Sequence, residues 1–518
     1  MNPSQEFRFW ARRAPTAERI TAGISAVIVI ALLVWLVVPG GGSGSTKLAS
    51  GGGGQGVEQG LTPDANGATA GQSGAQGAVG GTSAAGATAG GGTASGPAKA
   101  GAAGGGAGAN SAAAGPGCPN PPSGVPGVSA SQIKIAVTLT NIVGPAANSI
   151  FGIASPADQQ KWYEAQIDDI NKAGGIACRK IIPTFYPTNP ADQNELQQRC
   201  LQIVQSGVFA EVDNGAYAIY PQKQCFGQHK VPFFGGYSLY QDEIDGFYPY
   251  LFNISDLDTI DHNSVFALRD RGFFNVGAGE KIGFTYRDCD KALVNKWMQW
   301  FQQIGVSSKL VTYDFGCPAV FASPSDLQAA VLKFKSNNVT RMTAHQIVGD
   351  WSNFTKVAQQ QGFHPQYGLP DESLIDVAYG SQAGDPDNIV GAIAIAQGRS
   401  GEERTPGAVP TPGTAKCNAA YTAHGIAPVY KLAPGAGYVC DQLWMLQAAI
   451  NNAPAFRPDA LAIGLQQTKS IDFSYPGGPT DFTGVRATTG GQFWRVAQFM
   501  ASCKCWQVID PNFHPSYP

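Results

Sequence analysis

Residues Ile170–Ile181 read INKAGGIACRKI, an amphipathic run that ends on paired glycines just before a β-branched run begins. Upstream, Ala157–Ala173 (ADQQKWYEAQIDDINKA) places Tyr163, Ile167 and Ile170 on one face at helical spacing. Gly174 and Gly175 stop that helix, as a left-handed cap requires. Arg179–Tyr186 (RKIIPTFY) then reads as a strand, and Gln132–Leu139 (QIKIAVTL), before the helix, as another.

The alternation continues in both halves of the chain. Ala191–Gln205 and Tyr220–His229 read as helices, Gly207–Val212 and Val231–Gly235 as strands. After Asn253 the rhythm restarts. Helices are predicted at Asp261–Asn275, Lys291–Ile304, Ser325–Ser336 and Ser352–Gln361, with strands at Lys281–Tyr286, Lys309–Tyr313 and Arg341–Ala344. A Pro/Gly-rich stretch, Gly398–Gly413, reads as a surface loop. A strong helix is expected at Gly437–Asn452, and a terminal strand pair at Gly491–Phe499 and Lys504–Ile509. Short loops between alternating strands and helices argue an α/β fold with doubly wound parallel sheets. Two such runs argue two similar lobes, and a globular part of this length is too long for one core.

The first quarter of the chain has another character. Ile20–Val38 (ITAGISAVIVIALLVWLVV) carries no charge. At about 1.5 Å per residue it spans roughly 28 Å, close to a bilayer core, and it is longer than the apolar part of a cleaved signal peptide. Arg8, Arg12, Arg13 and Arg19 precede it and Lys47 alone follows closely, which leaves residues 1–19 as a short cytoplasmic tail. Gly40–Gly117 is Gly/Ala-rich with almost no large apolar residue, so it cannot offset its ordering entropy. The expected order is a transmembrane anchor at 20–38, a disordered linker at 39–128 and a binding domain at 129–518, outside the cell.

Ten cysteines follow the anchor, with no CxxC pair. In an oxidising space they read as structural disulfides. Cys289 and Cys317 both follow neighbouring strands and are expected to pair. Cys503 and Cys505, placed on one strand, would share a face on backbone too extended to join them, and are expected to have different partners.

The run Gln132–Gly207 resembles the start of type I periplasmic binding proteins of the branched-chain amino acid class, the Leu/Ile/Val-binding-like substrate-binding proteins of ABC transporters. The most specific string is Asp169-x-Asn171-x-x-Gly174-Gly175-Ile176-x-x-Arg179, with Cys178 standing where the family has Gly. IKIAVTLT, Gly144-Pro145, Asn189-Pro190 and KVPFFGG continue it, and weaker motifs extend to about residue 510. The resemblance implies two lobes joined by three crossover strands around a ligand cleft. Lobe one would be about 131–253 and 400–485, lobe two about 254–399 and 486–510.

Ligands of open α/β sheets lie beyond the carboxyl ends of strands. In lobe one those loops offer Phe151, where the family often has an aromatic; then Asn214, Gly215 and Ala216; then Gly236, Tyr237 and Ser238, the last matching a hydroxyl that binds a ligand carboxylate. In lobe two they offer Tyr286 and Gln346, and the resemblance adds Asp371 or Glu372 in LPDES, loosely matching an acid that holds an amino group. Asn214 replaces the small hydroxyl residues of amino-acid binders, which opens the ligand to amides and short peptides as well as amino acid-like molecules.

Other function classes find no support. The net charge is −3, without the footprint of nucleic acid binding. The six histidines are scattered, and neither a zincin, a GxSxG elbow nor a P-loop occurs. No enzyme, metal or cofactor is expected. The expected partners are a small-molecule ligand, an ABC permease and the membrane. A ligand-sensing receptor domain or a wall-associated interaction protein is the alternative role for the same fold.

Overall fold

The computed structural model describes residues 124–142, 144, 148, 153–217, 221–236, 239–317, 322–345, 348–371, 384–398, 411–432, 435–475, 478–484 and 488–518. The expected anchor at 20–38 and the linker up to 123 lie outside them. Among the described residues no helix is long and apolar enough to cross a membrane.

Five parallel strands form the first sheet: β1 (Gln132–Thr140), β2 (Lys180–Thr188), β3 (Ala210–Asp213), β4 (Phe233–Phe234) and β5 (Leu251–Phe252), in the order β2-β1-β3-β4-β5. Central β1 buries Ile133, Ile135, Val137 and Leu139 on one face. Each such side chain stabilises the lobe by about 1.5–3 kcal/mol. Over that face pack α1 (Pro156–Lys172), α9 (Pro412–Ala423), α10 (Ala436–Asn451) and α11 (Leu461–Thr468). The opposite face is covered by α2 (Gln193–Gln205), α3 (Gln224–Gln228) and α4 (Gln241–Gly246).

The residues behind the family resemblance form a structural clamp. Asn171 accepts from the Ile181 N–H at 2.7 Å and donates to the Ile181 carbonyl at 3.0 Å, pinning α1 to β2. Arg179 is buried, donates to the Ser129 and Ala177 carbonyls, and lies over the Phe456 ring at 4.8 Å. Gly175 has φ +77°, and a Cβ there would stand 2.1 Å from the Arg179 carbonyl oxygen, so the turn takes no other residue.

The second sheet has seven strands: β6 (Lys281–Tyr286), β7 (Leu310–Asp314), β8 (Val339–Ala344), β9 (Gln366–Pro370), β10 (Ile393–Ala396), β11 (Phe493–Met500) and β12 (Cys505–Pro515). Their order is β12-β11-β10-β9-β8-β6-β7, parallel from β7 to β10 and antiparallel across β10-β11-β12. One face carries α5 (Leu257–Asp270) and α6 (Lys291–Gln303), the other α7 (Pro324–Ser336) and α8 (Val348–Gln360).

Three chain crossings connect the sheets: 253–256 after β5, a second leaving β10 at Gln397 and reaching α9, and 488–492 before β11. They meet at Gly491. Its carbonyl accepts Gln397 Nε2 at 3.0 Å and the Ser255 hydroxyl at 3.3 Å, one donor from each of the other crossings. A Cβ on Gly491 would stand 2.8 Å from Ser255 and 3.0 Å from Gln397, so the crossings converge only because no side chain intervenes.

Disulfides join Cys289 to Cys317, as expected, and also Cys200 to Cys225 and Cys417 to Cys440. Cys178 is disulfide-bonded too. The expectation for Cys503 and Cys505 is overturned: they are bonded to each other. Cys503 belongs to the turn 501–504 rather than to a strand, and Lys504 at φ +49° folds the backbone back until the two Cα atoms are 5.2 Å apart.

Candidate functional site

The carboxyl ends of both parallel sheets point toward the three crossings. In lobe one the ends of β1 and β3, at Thr140 and Asn214, are fixed from behind by Gln159 of α1. Its Oε1 accepts the Thr140 N–H at 2.9 Å and Asn214 Nδ2 at 3.0 Å, and its Nε2 donates to the Thr140 and Ala154 carbonyls at 2.8 Å. Asn148 adds a second tie, donating to the same two carbonyls.

Beneath Asn214 lie two buried acids. Glu211 and Asp213 alternate along β3 and so share one face, where the Thr138 hydroxyl donates to both. Burial, with Asp213 beside it, pushes the Glu211 carboxyl well above the usual range. Burial raises Asp213 to about 6, opposed chiefly by the backbone donor of Tyr217. The Asp213 carboxylate accepts the Ala216 N–H at 2.9 Å and the Tyr217 N–H at 3.2 Å, which builds the turn around Gly215. Ala216 is buried with its N–H engaged, Asn214 is tied to Gln159, and Gly215 is left half-exposed at the turn.

Gly236 lies under Tyr438, whose ring atoms come within 3.3 Å of the point where a Cβ on Gly236 would stand. Tyr438 sits in the first turn of α10 and meets Tyr475 edge to face, ring centroids 4.3 Å apart. Asp441 of α10, fully buried, accepts the Tyr475 N–H at 2.7 Å and so holds that tyrosine in place. Tyr475 in turn covers Gly398 at the second crossing, its ring 2.6 Å from where a Cβ would be.

From Gly398 the contacts pass into lobe two. Asp371, at the end of β9, accepts the Gly398 N–H at 2.6 Å and the Gln397 N–H at 2.9 Å, both on Oδ2. Among the described residues its Oδ1 has no hydrogen-bond partner. Burial raises this carboxyl to about 6, while the two N–H groups and Arg495 pull the other way. Arg495 donates to the Gly398 carbonyl at 3.0 Å. A continuous line thus runs from Gly236 through Tyr438, Tyr475 and Gly398 to Asp371, linking the two sheet ends across the crossings.

Elsewhere in lobe two, half-buried Tyr286 closes β6 and stacks on Phe284 at 5.5 Å. The neighbouring Arg287 is turned inward onto Asp350 at 2.6 Å. His345 follows β8, its Nδ1 3.0 Å from an Asp261 oxygen that also accepts the Trp297 indole N–H at 2.5 Å. Phe151, Tyr237, Ser238 and Gln346 lie outside the described residues. The structure therefore brings Gly236 and Asp371 onto one line of contacts and places Asn214, Gly215, Ala216 and Tyr286 at the ends of other strands. Sequence reasoning missed Gln159, Tyr438, Tyr475 and Gln397. A signal existed for Tyr438, since the helix opening Gly435-Ala-Gly-Tyr puts an aromatic beside glycines that permit close approach.

No protein-family model matches the chain, and no curated protein does. Solved structures do. An ABC transporter substrate-binding protein from Desulfitobacterium hafniense, in complex with Leu, shares 15% identity at a TM-score of 0.51 and is matched over 73% of this chain and 100% of its own. The fatty acid ABC transporter substrate-binding protein from Thermomonospora curvata shares 15% at 0.55, over 76% and 96%. A solute-binding protein of an ABC transporter from R. palustris, in complex with 4-hydroxybenzoate, shares 12% at 0.56, over 75% and 98%. All three are binding proteins of transporters, and none is an enzyme. With its two hinged parallel-sheet lobes, the chain has the type I periplasmic binding fold of ABC-transporter substrate-binding proteins.

Proposed function

We propose that the protein captures a small polar solute between its lobes and delivers it to an ABC permease, held at the membrane by a helix at Ile20–Val38. The solute would be amino acid-like, an amide or a short peptide. One observation carries the reading: the line from Gly236 through the paired tyrosines to Asp371, which crosses from one sheet end to the other beside the hinge. A guest seated there would touch both lobes only when they close, so binding would shift the open–closed equilibrium.

The composition of that line supports a guest with an apolar or aromatic body and a polar head. Tyr438 and Tyr475 offer ring surface. Asp371 Oδ1 offers one acceptor for an ammonium or amide N–H, a charge-assisted bond when the acid is ionised. On this reading Phe151, Asn214, Gly215, Ala216, Gly236, Tyr237, Ser238, Tyr286 and Gln346 line the remainder. The related fold that holds leucine and the one that holds 4-hydroxybenzoate define the first two solutes to try.

Calorimetry and thermal shift with leucine, isoleucine, glutamine, short peptides, 4-hydroxybenzoate and a fatty acid test the capture. Saturable heat and a raised midpoint with at least one solute are expected; silence from the whole panel would sink the reading. Fractionation of cells expressing the chain with and without residues 1–38 tests the tether. Recovery of the intact chain from the soluble fraction would remove that part.

A further inference from the structure

Four disulfides have both partners described, and one differs in kind. Three close loops of 25, 28 and 23 residues of separation, the range in which a cross-link strongly restricts the unfolded chain. Cys503–Cys505 has a separation of 2. It restricts the unfolded chain less than half as much, because the loop-closure contribution grows with loop length. Nor is it needed to join the strands it sits between. β11 and β12 pair from Phe493↔Pro515 to Met500↔Cys505, so the ladder already brings the turn together.

Its setting suits chemistry at sulfur. Cys503 is exposed in the turn with Cys505 buried behind it; Cys317 is exposed too, but in a loop of 28 residues of separation, whereas Cys200, Cys225, Cys417 and Cys440 are buried. Between the bonded pair Lys504 has φ +49°, a left-handed conformation costly for a side chain of this kind, and the closed ring holds it there. The exposed Lys504 ammonium is paired with exposed Asp387 at 2.7 Å, and Gln507 Nε2 stands 3.7 Å from Cys503 Sγ. A donor next to a sulfur favours its thiolate.

We propose that Cys503–Cys505 is a thiol–disulfide exchange site whose co-substrate is an external dithiol. An incoming thiolate attacks the exposed Cys503 sulfur, the S–S bond breaks, and its electron pair leaves on Cys505, which takes a proton. The partner's second thiolate then attacks its own sulfur in the mixed disulfide. Cys503 departs as the second thiol and the partner is left oxidised. Two electrons and two protons pass to the pair, and the reverse sequence reduces an external disulfide. The assignment concerns the hairpin at the edge of the second sheet and is independent of what the cleft binds.

The test uses the purified full chain in graded mixtures of reduced and oxidised glutathione and, separately, in low dithiothreitol. Free thiols are trapped with N-ethylmaleimide and mapped by peptide mass spectrometry. Cys503 and Cys505 are expected to label at least about tenfold faster than any other cysteine. A Cys503→Ser, Cys505→Ser double variant is expected to keep its thermal midpoint within about 2 °C, as a link closing so short a loop should. Labelling no faster than at Cys200 and Cys225, or first labelling at Cys289 and Cys317, overturns the proposal. A larger fall in the double variant's midpoint makes the link a structural staple and overturns it too.

Discussion

The two sheet ends that face each other handle buried polarity in opposite ways. Lobe one spends its polar groups on itself. Gln159 and Asn148 tie down the end of β1, Asp213 builds the turn after β3, and Gln442 of α10 donates to the Asp213 and Phe234 carbonyls at the ends of β3 and β4. Lobe two directs its acid outward. Asp371 leaves β9 and accepts from two amides of a chain crossing, with one oxygen unpartnered among the described residues. The difference separates two tasks. One half ties the ends of its strands to its own helices, and the other couples the end of β9 to a chain crossing.

The largest effect is expected where the ties of lobe one are cut. Asp213→Ala removes the acceptor of the Ala216 and Tyr217 N–H groups and one partner of Thr138, inside a closed core. Relief of repulsion on Glu211 offsets only part of this, so urea unfolding should record a loss of about 3–4 kcal/mol. A loss below about 1 kcal/mol would mean that the turn does not need its acid, and the contrast between lobes would fail.

Asp371 should show itself through pH instead. Its carboxyl titrates at about 6 in the folded chain against 3.8 without burial. The folded state therefore binds the proton more tightly than the unfolded one. The associated stability is fully present below about 4 and is lost as pH rises through about 6, up to roughly 3 kcal/mol at 1.36 per pH unit. Asp371→Asn cannot ionise. The variant should match wild type near pH 4 and gain on it by pH 7, and two parallel denaturation profiles would refute the assignment.

How much of this was legible in the sequence depended on what each signal measures. Helices and central strands were readable because periodicity reports burial, and β1, β6 and α1 fall within a residue or two of expectation. β9 (QYGLP) and β10 (IAIA) were not read, since Gly, Pro and Ala are poor strand markers and tertiary pairing overrides them. Within the proposed site, Gly236 could be placed because it follows a strand that was read, whereas Asp371 was reached only through the family resemblance, since β9 before it was not read. Tyr475 could not, as it is brought in by Asp441 from a segment with no regular structure. The Cys503–Cys505 bond was misread because one left-handed residue, Lys504, converts an extended spacing into a closed one.

Tyr438 tests whether lobe one presents a surface as well as a shape. It is half-buried, touching Gly236 on one side and Tyr475 on the other. Tyr438→Ala should weaken the best solute from the screen about tenfold, some 1.4 kcal/mol, with little change in urea midpoint. An unfolding loss larger than the binding loss would assign the ring to packing alone.

The smallest effect belongs to an ion pair that spans the halves at their rim. Lys296 of α6 reaches Asp242, in the first turn of α4 on lobe one, at 3.2 Å, and Asp258 of α5 at 2.6 Å. Asp242 is 64% exposed and Lys296 30%, so water and salt screen the attraction across the lobes, and flexible side chains lose entropy in making it. Lys296→Met should therefore cost less than about 1 kcal/mol in stability and change solute affinity no more than about threefold, both differences fading in 0.5 M salt. If affinity instead moved by more than tenfold and kept that change at high salt, closure would depend on this rim contact rather than on the line through Tyr438, Tyr475 and Asp371. The coupling between lobes would then have to be sought at the surface instead of beside the hinge.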